Sequence, residues 1–283
     1  MQSVTQAQVA ALLRALGLRP GDNLLVHAAI QFLGKPEGGV GAYFAAICEV
    51  AGSESGISDA PPTTYLATPI PSPAPRTSHP AALTFTIAVP AFNFAFARGE
   101  PYDPASTPSQ GMGAFAEYVR RLPGARRTPH PMQSLAAIGP YAEDLAGRDT
   151  PSAFDPGSAF ERLLALDFKL LYLGANIDAT SLLHYSEQRF QVPYRYWKTF
   201  SGPVRTVNGW ERRTYRMYVR DLEANPVLTL APAQALLERR GQWHSLPLNY
   251  GRVSLCRAVD FTAAVDDLLS ADPWCLVTNP CSI

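Results

Sequence analysis

A histidine and a glutamate three residues apart, His184 and Glu187, are the residues whose types and spacing most directly suggest chemistry. They follow an apolar stretch and lie in a segment predicted to be helical from about residue 180 or 181 to residue 190. On a helix, residues three apart project from one face and can interact. A carboxylate that accepts from one imidazole nitrogen leaves the other nitrogen free to take a proton. The pair is therefore a candidate general base with its orienting group.

Two other interpretations of this pair stay open. An arbitrary H-x-x-E is more often a partly buried histidine beside a surface glutamate, because pairs at this spacing are common on helices. A metal site would need further ligands, since His184 and Glu187 supply two and spacing marks no third ligand nearby. We therefore expect no metal.

The turn Thr107-Pro-Ser-Gln-Gly-Met-Gly113 is the second candidate, because it precedes a predicted helix. Such a turn offers backbone N–H donors to an oxygen that gains negative charge, or to a phosphate. Ser109 is also conceivable as a nucleophile with His130 and Asp178 as partners, although it lies in no G-x-S-x-G elbow. A helix-capping Ser109 is the simpler alternative.

The composition excludes several classes. Lys and Arg together number 24, as do Asp and Glu, so the net charge of zero favours neither nucleic acid nor an anionic membrane as a partner. No apolar run approaches the roughly 18 to 20 residues of a membrane helix, and the start of the chain has no signal pattern, so we expect a cytoplasmic protein. The glycine-rich loop after the first strand fits neither dinucleotide nor P-loop spacing, although its amides could hold phosphate. None of the four cysteines forms a C-x-x-C pair.

One local charge bias stands out. Residues 189–220 carry eight basic side chains against a single acidic one, Glu211, with aromatic residues between them. The segment is either a groove for an anionic ligand, with Arg195 and Tyr196 among its residues, or a solvated surface neutralised by acidic side chains elsewhere.

Helical and strand-like segments alternate, which indicates an α/β protein around a central sheet but does not separate a parallel from a mixed sheet. Thr5 and Gln8 mark the start of the first helix, and Gly17 with Pro20 marks its end. The other helices, besides the one containing His184, are predicted near 42–50, 112–122, 158–166, 232–239 and 261–269, and the strands near 23–29, 83–92, 134–139, 169–174 and 214–219. Residues 52–82, with seven prolines, are predicted to form an exposed insertion.

Taken together, these segments resemble the aminoglycoside 3-N-acetyltransferase family. The matching segments follow in order: Leu25-Val-His-Ala-Ala-Ile30, Val89-Pro-Ala-Phe92, Thr107-Pro-Ser-Gln-Gly-Met-Gly-Ala114, Pro123-Gly-Ala-Arg126, His130-Pro-Met-Gln-Ser-Leu-Ala-Ala-Ile-Gly139, Phe154-Asp-Pro-Gly-Ser158, Leu173-Gly174, Asp178 and His184-x-x-Glu187. Each motif is modest alone, and the ordered set over most of the first 200 residues is specific.

The resemblance implies an acetyl-CoA-dependent transfer of an acetyl group to the amine of an amino sugar, by direct attack and without an acyl-enzyme. His184 is then the base and Glu187 its orienting group. The implied fold is a layered α/β/α domain around a central mixed sheet, distinct from the GNAT fold, with a small additional C-terminal α+β portion. We expect one domain over residues 1–283, of which 200–283 is the more variable portion, and leave a homodimer open.

The resemblance also implies roles for further residues. The turns of residues 27–30 and 107–113 would line a CoA channel, and the turn from Thr107 to Ser109 would also supply oxyanion donors. The implied CoA-binding residues are Ala28, Ala29, Ile30, Thr107, Ser109 and Gly113. The implied substrate-binding residues are Asp178, which would hold the ammonium form of the amine, together with His130, Arg195 and Tyr196.

The chain departs from the family in three ways. Ala28 and Ala29 stand where the family usually has two serines, which leaves only backbone amides there for CoA. The proline-rich segment 52–82 is foreign to the pattern and is either a lid or inert. The basic character of 189–220 suits an anionic amine, such as a nucleotide-linked amino sugar, better than a polycationic aminoglycoside. A non-catalytic protein that binds CoA or a nucleotide sugar on the same fold is the alternative function.

Overall fold

The computed structural model describes residues 2–52, 83–223 and 225–279. A seven-stranded sheet forms its centre. From one edge to the other its strands are β10 (His244–Leu248), β11 (Gly251–Arg257), β7 (Lys169–Leu173), β2 (Leu24–Ala28), β4 (Ile87–Pro90), β6 (Leu135–Ile138) and β5 (Arg126–Arg127). β2 runs parallel to both of its neighbours, β4 and β7, and the remaining pairs are antiparallel. The sheet is therefore mixed, as predicted.

Helices cover both faces of this sheet. One layer contains α1 (Gln6–Ala15), α2 (Gly41–Ala51) and α3 (Gly113–Arg120), and the other contains α4 (Ala142–Ala146), α5 (Ala159–Ala165), α6 (Leu183–Phe190), α7 (Ala231–Arg239) and α8 (Ala258–Ala271). The central strands separate two hydrophobic cores because alternate residues point to opposite faces. Leu24 and Val26 pack in the core with α1 to α3, whereas Leu25 packs in the core with α4 to α8.

The predicted start of the first helix is confirmed. The backbone N–H of Gln8 donates to the Thr5 hydroxyl, and the Gln8 side chain accepts from the Thr5 N–H at 2.9 Å, which makes a capping box. A short parallel pair, β1 (Ser3–Val4) and β3 (Lys35–Pro36), fixes the chain just before this helix.

A long hairpin lies apart from the central sheet. Its strands, β8 (Arg195–Thr206) and β9 (Gly209–Arg220), pair from Arg195 with Arg220 to Thr206 with Gly209. The sequence predicted only the 214–219 part of β9 and missed β8. The hairpin has a small core of its own, in which Val204, Tyr215 and Met217 pack against Phe96 and Met132.

The C-terminal elements extend the central sheet. β11 pairs with β7 and β10 pairs with β11, while α7 and α8 join the second helical layer. The proline-rich segment predicted at 52–82 lies outside the described residues except for Gly52. Within the three described stretches, no helix is long and apolar enough to cross a membrane.

Candidate active site

The site lies at the carboxyl ends of the parallel strands β2 and β7. Open α/β sheets bind ligands at this edge, because the loops that leave adjacent parallel strands diverge there. The N–H of Ala29 donates to the carbonyl of Leu173 at 2.8 Å, which keeps the two strand ends together. The loop after β7 leads to α6, which carries His184 and Glu187.

His184 and Glu187 form the predicted pair. The distance from Nδ1 of His184 to Oε2 of Glu187 is 2.6 Å, and the glutamate side chain is 0% exposed whereas the histidine is 30% exposed. Arg195, at the start of β8, places its Nε 2.9 Å from the same carboxylate oxygen. An Arg195 nitrogen also lies 3.3 Å from Nδ1 of His184. The shorter contact decides the tautomer, so Nδ1 carries the proton that it donates to Glu187 and Nε2 keeps its lone pair.

The charges around Glu187 keep it ionised. Burial acts to raise its pKa, but the hydrogen bond from His184 and the positive charge of Arg195 outweigh burial, so its pKa lies below the ordinary value. Tyr194 is buried beside this carboxylate, and burial together with the negative charge raises the pKa of Tyr194. A buried carboxylate with a cation and an imidazole donor can hold the imidazole ring in one orientation and stabilise its protonated form.

His184 lies in the wall between two cavities. The first, the inner cavity, has a volume of about 500 Å³ and lies between the ends of β2 and β7, the start of α3 and the start of α6. The second, the hairpin cavity, has a volume of about 580 Å³ and lies between the β8–β9 hairpin and the segment after β4. Both cavities are lined by His184, Phe92 and Leu228. A base in this position can act on groups that meet from both sides.

Part of the predicted CoA-binding set lines the inner cavity. Ala28, Ala29 and Gly113 are in its wall, whereas Ile30, which begins a short 3₁₀ helix, is outside it. Gly113 has φ of 85°, and a Cβ there would lie 3.0 Å from the carbonyl oxygen of Ala28, so glycine suits this close approach. Gly111 belongs to the same wall, although the sequence did not single it out.

The predicted donors of the Thr107–Ser109 turn are bound within the protein, which corrects their assignment to the oxyanion. The Thr107 N–H donates to the Asp103 carbonyl, and the Thr107 hydroxyl accepts from the Asp103 N–H at 2.8 Å. The Ser109 N–H and hydroxyl both donate to Glu117, the hydroxyl at 2.8 Å. Neither residue lines the inner cavity, because Glu117 reaches back from α3 and holds the turn to its own helix.

The predicted substrate-binding residues divide between the cavities. Asp178 lines the inner cavity and accepts from the N–H of Leu230 at 2.6 Å. Arg195 and Tyr196 line the hairpin cavity. His130 lines neither, because it is buried against Tyr215 with its ring nitrogens near the Gln133 N–H and the Arg216 carbonyl.

The proposed serine triad is not assembled. Ser109 is bound to Glu117, His130 to backbone groups and Asp178 to the start of α7, so the three side chains have separate partners. A nucleophile needs its base within hydrogen-bond reach, which this arrangement does not give.

His27 also lines the inner cavity but is unsuited to act as a base. Its Nε2 accepts from the Ser181 N–H at 3.0 Å, and burial lowers the pKa of the ring to about 3. The ring stacks on Tyr172 at 5.5 Å between centroids. His27 therefore packs as a neutral side chain that holds the loop before α6.

The hairpin supplies further cavity residues, of which only Lys198 and Arg220 were noted from the sequence, as two of the basic residues of 189–220. Lys198 and Phe200 follow Tyr196 at alternate positions, and Met217 and Val219 face them from β9. Residues 196–200 gave no clear signal for this, because apolar and polar side chains do not alternate along them.

Three other basic side chains of 189–220 are neutralised by acidic side chains, so the solvated-surface interpretation holds for only part of the segment. Arg189 pairs with Asp266, Arg213 with Asp149 and Arg216 with Asp155. In the described parts of the chain, no three His, Cys, Asp or Glu residues are grouped as a metal site would require.

Comparison with known proteins gives the same family that the motifs suggested. The family model described as aminoglycoside 3-N-acetyltransferase matches residues 25–270. Aminoglycoside N(3)-acetyltransferase III of Salmonella sp is 31% identical over 207 residues, which are 72% of this chain and 68% of that protein. Aminoglycoside N(3)-acetyltransferase VIII of Streptomyces fradiae is 31% identical over 277 residues, which are 95% of this chain and 82% of that protein.

Solved structures share the fold over nearly the whole chain. The structure described as AAC-IIIb binary with CoASH has a TM-score of 0.76 at 22% identity and covers 95% of this chain and 97% of its own. The YokD protein from Bacillus subtilis has a TM-score of 0.73 at 18% identity, with 96% of this chain and 95% of that chain covered. Because the family model spans most of the chain and the curated relatives match it at 31% identity, the chain belongs to the aminoglycoside 3-N-acetyltransferase family, a family of acyltransferases.

Proposed function

We propose that the chain transfers the acetyl group of acetyl-CoA to the amine of an amino sugar, either an aminoglycoside antibiotic or a sugar in a biosynthetic pathway. The observation that carries this proposal is the position of His184, which lies in the wall common to both cavities with Nδ1 held by the buried Glu187. The partners are acetyl-CoA and a small amine, and both are substrates.

Acetyl-CoA is assigned to the inner cavity. The predicted CoA-binding residues that line a cavity, Ala28, Ala29 and Gly113, lie in this one. Small side chains and a glycine let a pantetheine arm approach the backbone closely. The acceptor is assigned to the hairpin cavity, which contains Arg195 and Tyr196. Part of each predicted group thus lies beside His184, whereas Asp178, which was predicted to bind the amine, lines the inner cavity.

The reaction follows from this placement. An alkyl ammonium group is not a nucleophile, so it first loses one proton to solvent, and the neutral amine nitrogen then attacks the thioester carbonyl carbon. Nε2 of His184 accepts a proton from the attacking nitrogen as the C–N bond forms. Collapse of the tetrahedral intermediate breaks the C–S bond, and the sulfur leaves as the CoA thiol after taking up the proton. Glu187 stabilises the imidazolium while His184 holds that proton.

Free thiol released from acetyl-CoA in the presence of amines tests the proposal. We expect His184→Ala to lower kcat by about 10²- to 10⁴-fold, the range for a lost general base, while CoA binding measured by calorimetry is unchanged. His244→Ala is the matched control, because His244 lies on the edge strand β10 outside both cavities.

Two results would contradict the proposal. Turnover near the wild-type value in His184→Ala would reject the base assigned here. CoA binding by the wild type without thiol release for any amine would instead support a non-catalytic binding protein.

A further inference from the structure

The hairpin cavity has an unusual lining for a site that accepts sugar amines. Its side chains are mainly basic and apolar, with Gln133 as a neutral polar residue, and no carboxylate from the described residues lines it. The basic residues are Arg195, Lys198 and Arg220, and the aromatic residues are Phe92, Phe94, Tyr196 and Phe200. A polycation is repelled by such a lining, whereas an anion with a flat apolar body is attracted.

The apolar part of the lining is built into one face of the hairpin. Tyr196 pairs with Val219 and Lys198 pairs with Met217 across the two strands. Because successive side chains alternate between faces, Tyr196, Lys198 and Phe200 project from the same side of β8. The Lys198 ammonium lies 5.6 Å from the centre of the Phe200 ring, so the positive charge is held over an aromatic surface.

The positive charge of this lining is only partly balanced. Arg195 pairs with Glu187, whose side chain is buried behind the cavity wall. Lys198 and Arg220 form no ion pair with any residue of 2–52, 83–223 and 225–279, and Arg220 reaches only the Pro226 carbonyl at 3.5 Å. Arg213 and Arg216 on the same hairpin are paired with aspartates, whereas Arg205 and Arg212, which lie outside the cavity, form no ion pair with a described residue. Among the described residues, Lys198 and Arg220 are therefore the unpaired cations that line the cavity.

We propose that the acceptor amine belongs to an anionic molecule that also carries an aromatic ring. The anionic group binds Lys198 and Arg220, the ring packs on Tyr196 and Phe200, and the amine reaches His184. A nucleotide-linked amino sugar has all three features, and the cavity volume of about 580 Å³ is in the range of small-molecule sites. This inference rests on the acetyl transfer proposed above and narrows its substrate class.

Three amines of different charge test this inference in the thiol-release assay, with the acetylated product identified by mass spectrometry. Glucosamine has no anionic group. Uridine diphosphate glucosamine has an anionic diphosphate and the aromatic ring of a nucleobase, and gentamicin is a polycation. We expect the wild type to use uridine diphosphate glucosamine with a kcat/KM at least about tenfold above the other two, since each charge contact contributes about fivefold at a solvated site.

Charge removal tests the assigned residues. In the Lys198→Gln, Arg220→Gln double variant, the ratio of kcat/KM for uridine diphosphate glucosamine to that for glucosamine should fall about tenfold or more. Arg212→Gln is the matched control, because Arg212 is exposed on the same hairpin and lies outside the cavity, and this ratio should not change.

The outcomes separate the two proposals. A higher kcat/KM for gentamicin than for uridine diphosphate glucosamine, or an unchanged ratio in the double variant, would overturn this inference and leave the acetyl transfer standing. Thiol release with none of the amines would overturn the proposed function itself.

Discussion

Replacing Glu187 by glutamine should cost turnover through the tautomer of His184. Glutamine has the shape of glutamate but no charge, and its amide can donate to Nδ1 as readily as it can accept from it. Donation would place the proton of His184 on Nε2, where the amine needs a lone pair. Even if the neutral ring starts in the correct tautomer, the imidazolium formed during the reaction would lack the carboxylate that lies 2.6 Å from Nδ1 in the wild type.

The size of the expected fall in kcat depends on how far the charge pair is buried. Two unit charges about 4 Å apart attract by about 4 kcal/mol at an effective dielectric constant of about 20. The His184 side chain is 30% exposed, so solvent screening reduces this energy. We take about 3 kcal/mol, which corresponds to a fall in kcat of about 100-fold.

The assay must separate catalysis from folding, because Glu187→Gln also leaves the buried Arg195 without its carboxylate. A buried charge without a partner is destabilising, so the melting temperature should fall. A Glu187→Gln, Arg195→Gln double variant removes that charge and should recover part of the melting temperature without recovering kcat. A cooperatively folded Glu187→Gln protein with kcat within threefold of the wild type would refute the assigned role of Glu187.

Two further predictions concern stability. Burial lowers the pKa of His27 to about 3, whereas the pKa of a histidine in the unfolded chain is about 6.5. Between these two pH values the unfolded chain binds more protons than the folded chain. The free energy of unfolding therefore falls as the pH drops through this window. From pH 7.5 to 5, His27 should lower the free energy of unfolding by about 2 kcal/mol. Thermal melts of His27→Gln should therefore show a smaller fall in melting temperature over this pH range than the wild type. An equal fall would exclude a neutral buried ring. A Cβ at Gly174 would lie 2.5 Å from the carbonyl oxygen of Ala29, while Gly99 has a similar positive φ and open space. Gly174→Ala should therefore destabilise by about 2 kcal/mol more than Gly99→Ala in urea unfolding, and equal losses would show that the β2 and β7 ends separate freely.

The parts of the site that depend on local spacing were predictable from the sequence. The pairing of His184 with Glu187 needs only a helix, and the apolar spacing around them predicts one. The burial of Glu187 and its contact with Arg195 were not predictable, because they depend on how the chain turns back after α6. The role predicted for the Ser109 turn was wrong for a related reason. Its partner Glu117 reaches Ser109 through the geometry of the helix start, and no recognisable sequence motif marks that contact.

The fold shows the same division between local and distant determinants. The predicted strands around β2, β4, β6 and β7 are short apolar runs whose pattern suffices to identify them. β8 was missed because its residues mix charged, aromatic, glycine and proline side chains without a clean alternation. Its inward residues pack against Phe96 and Met132, and such a tertiary contact has no signature within the strand itself.

The connection between α6 and the hairpin explains why a common motif forms a specific site here. α6 ends at Phe190 and Gln191 adopts the left-handed conformation, so the chain reverses within a few residues and β8 begins at Arg195. The residue that neutralises Glu187 is thus also the first residue of the strand that walls the hairpin cavity. An H-x-x-E pair on an exposed helix would lack both features. Burial of the carboxylate and a shared cavity wall, and not the spacing alone, therefore distinguish a base from a surface pair.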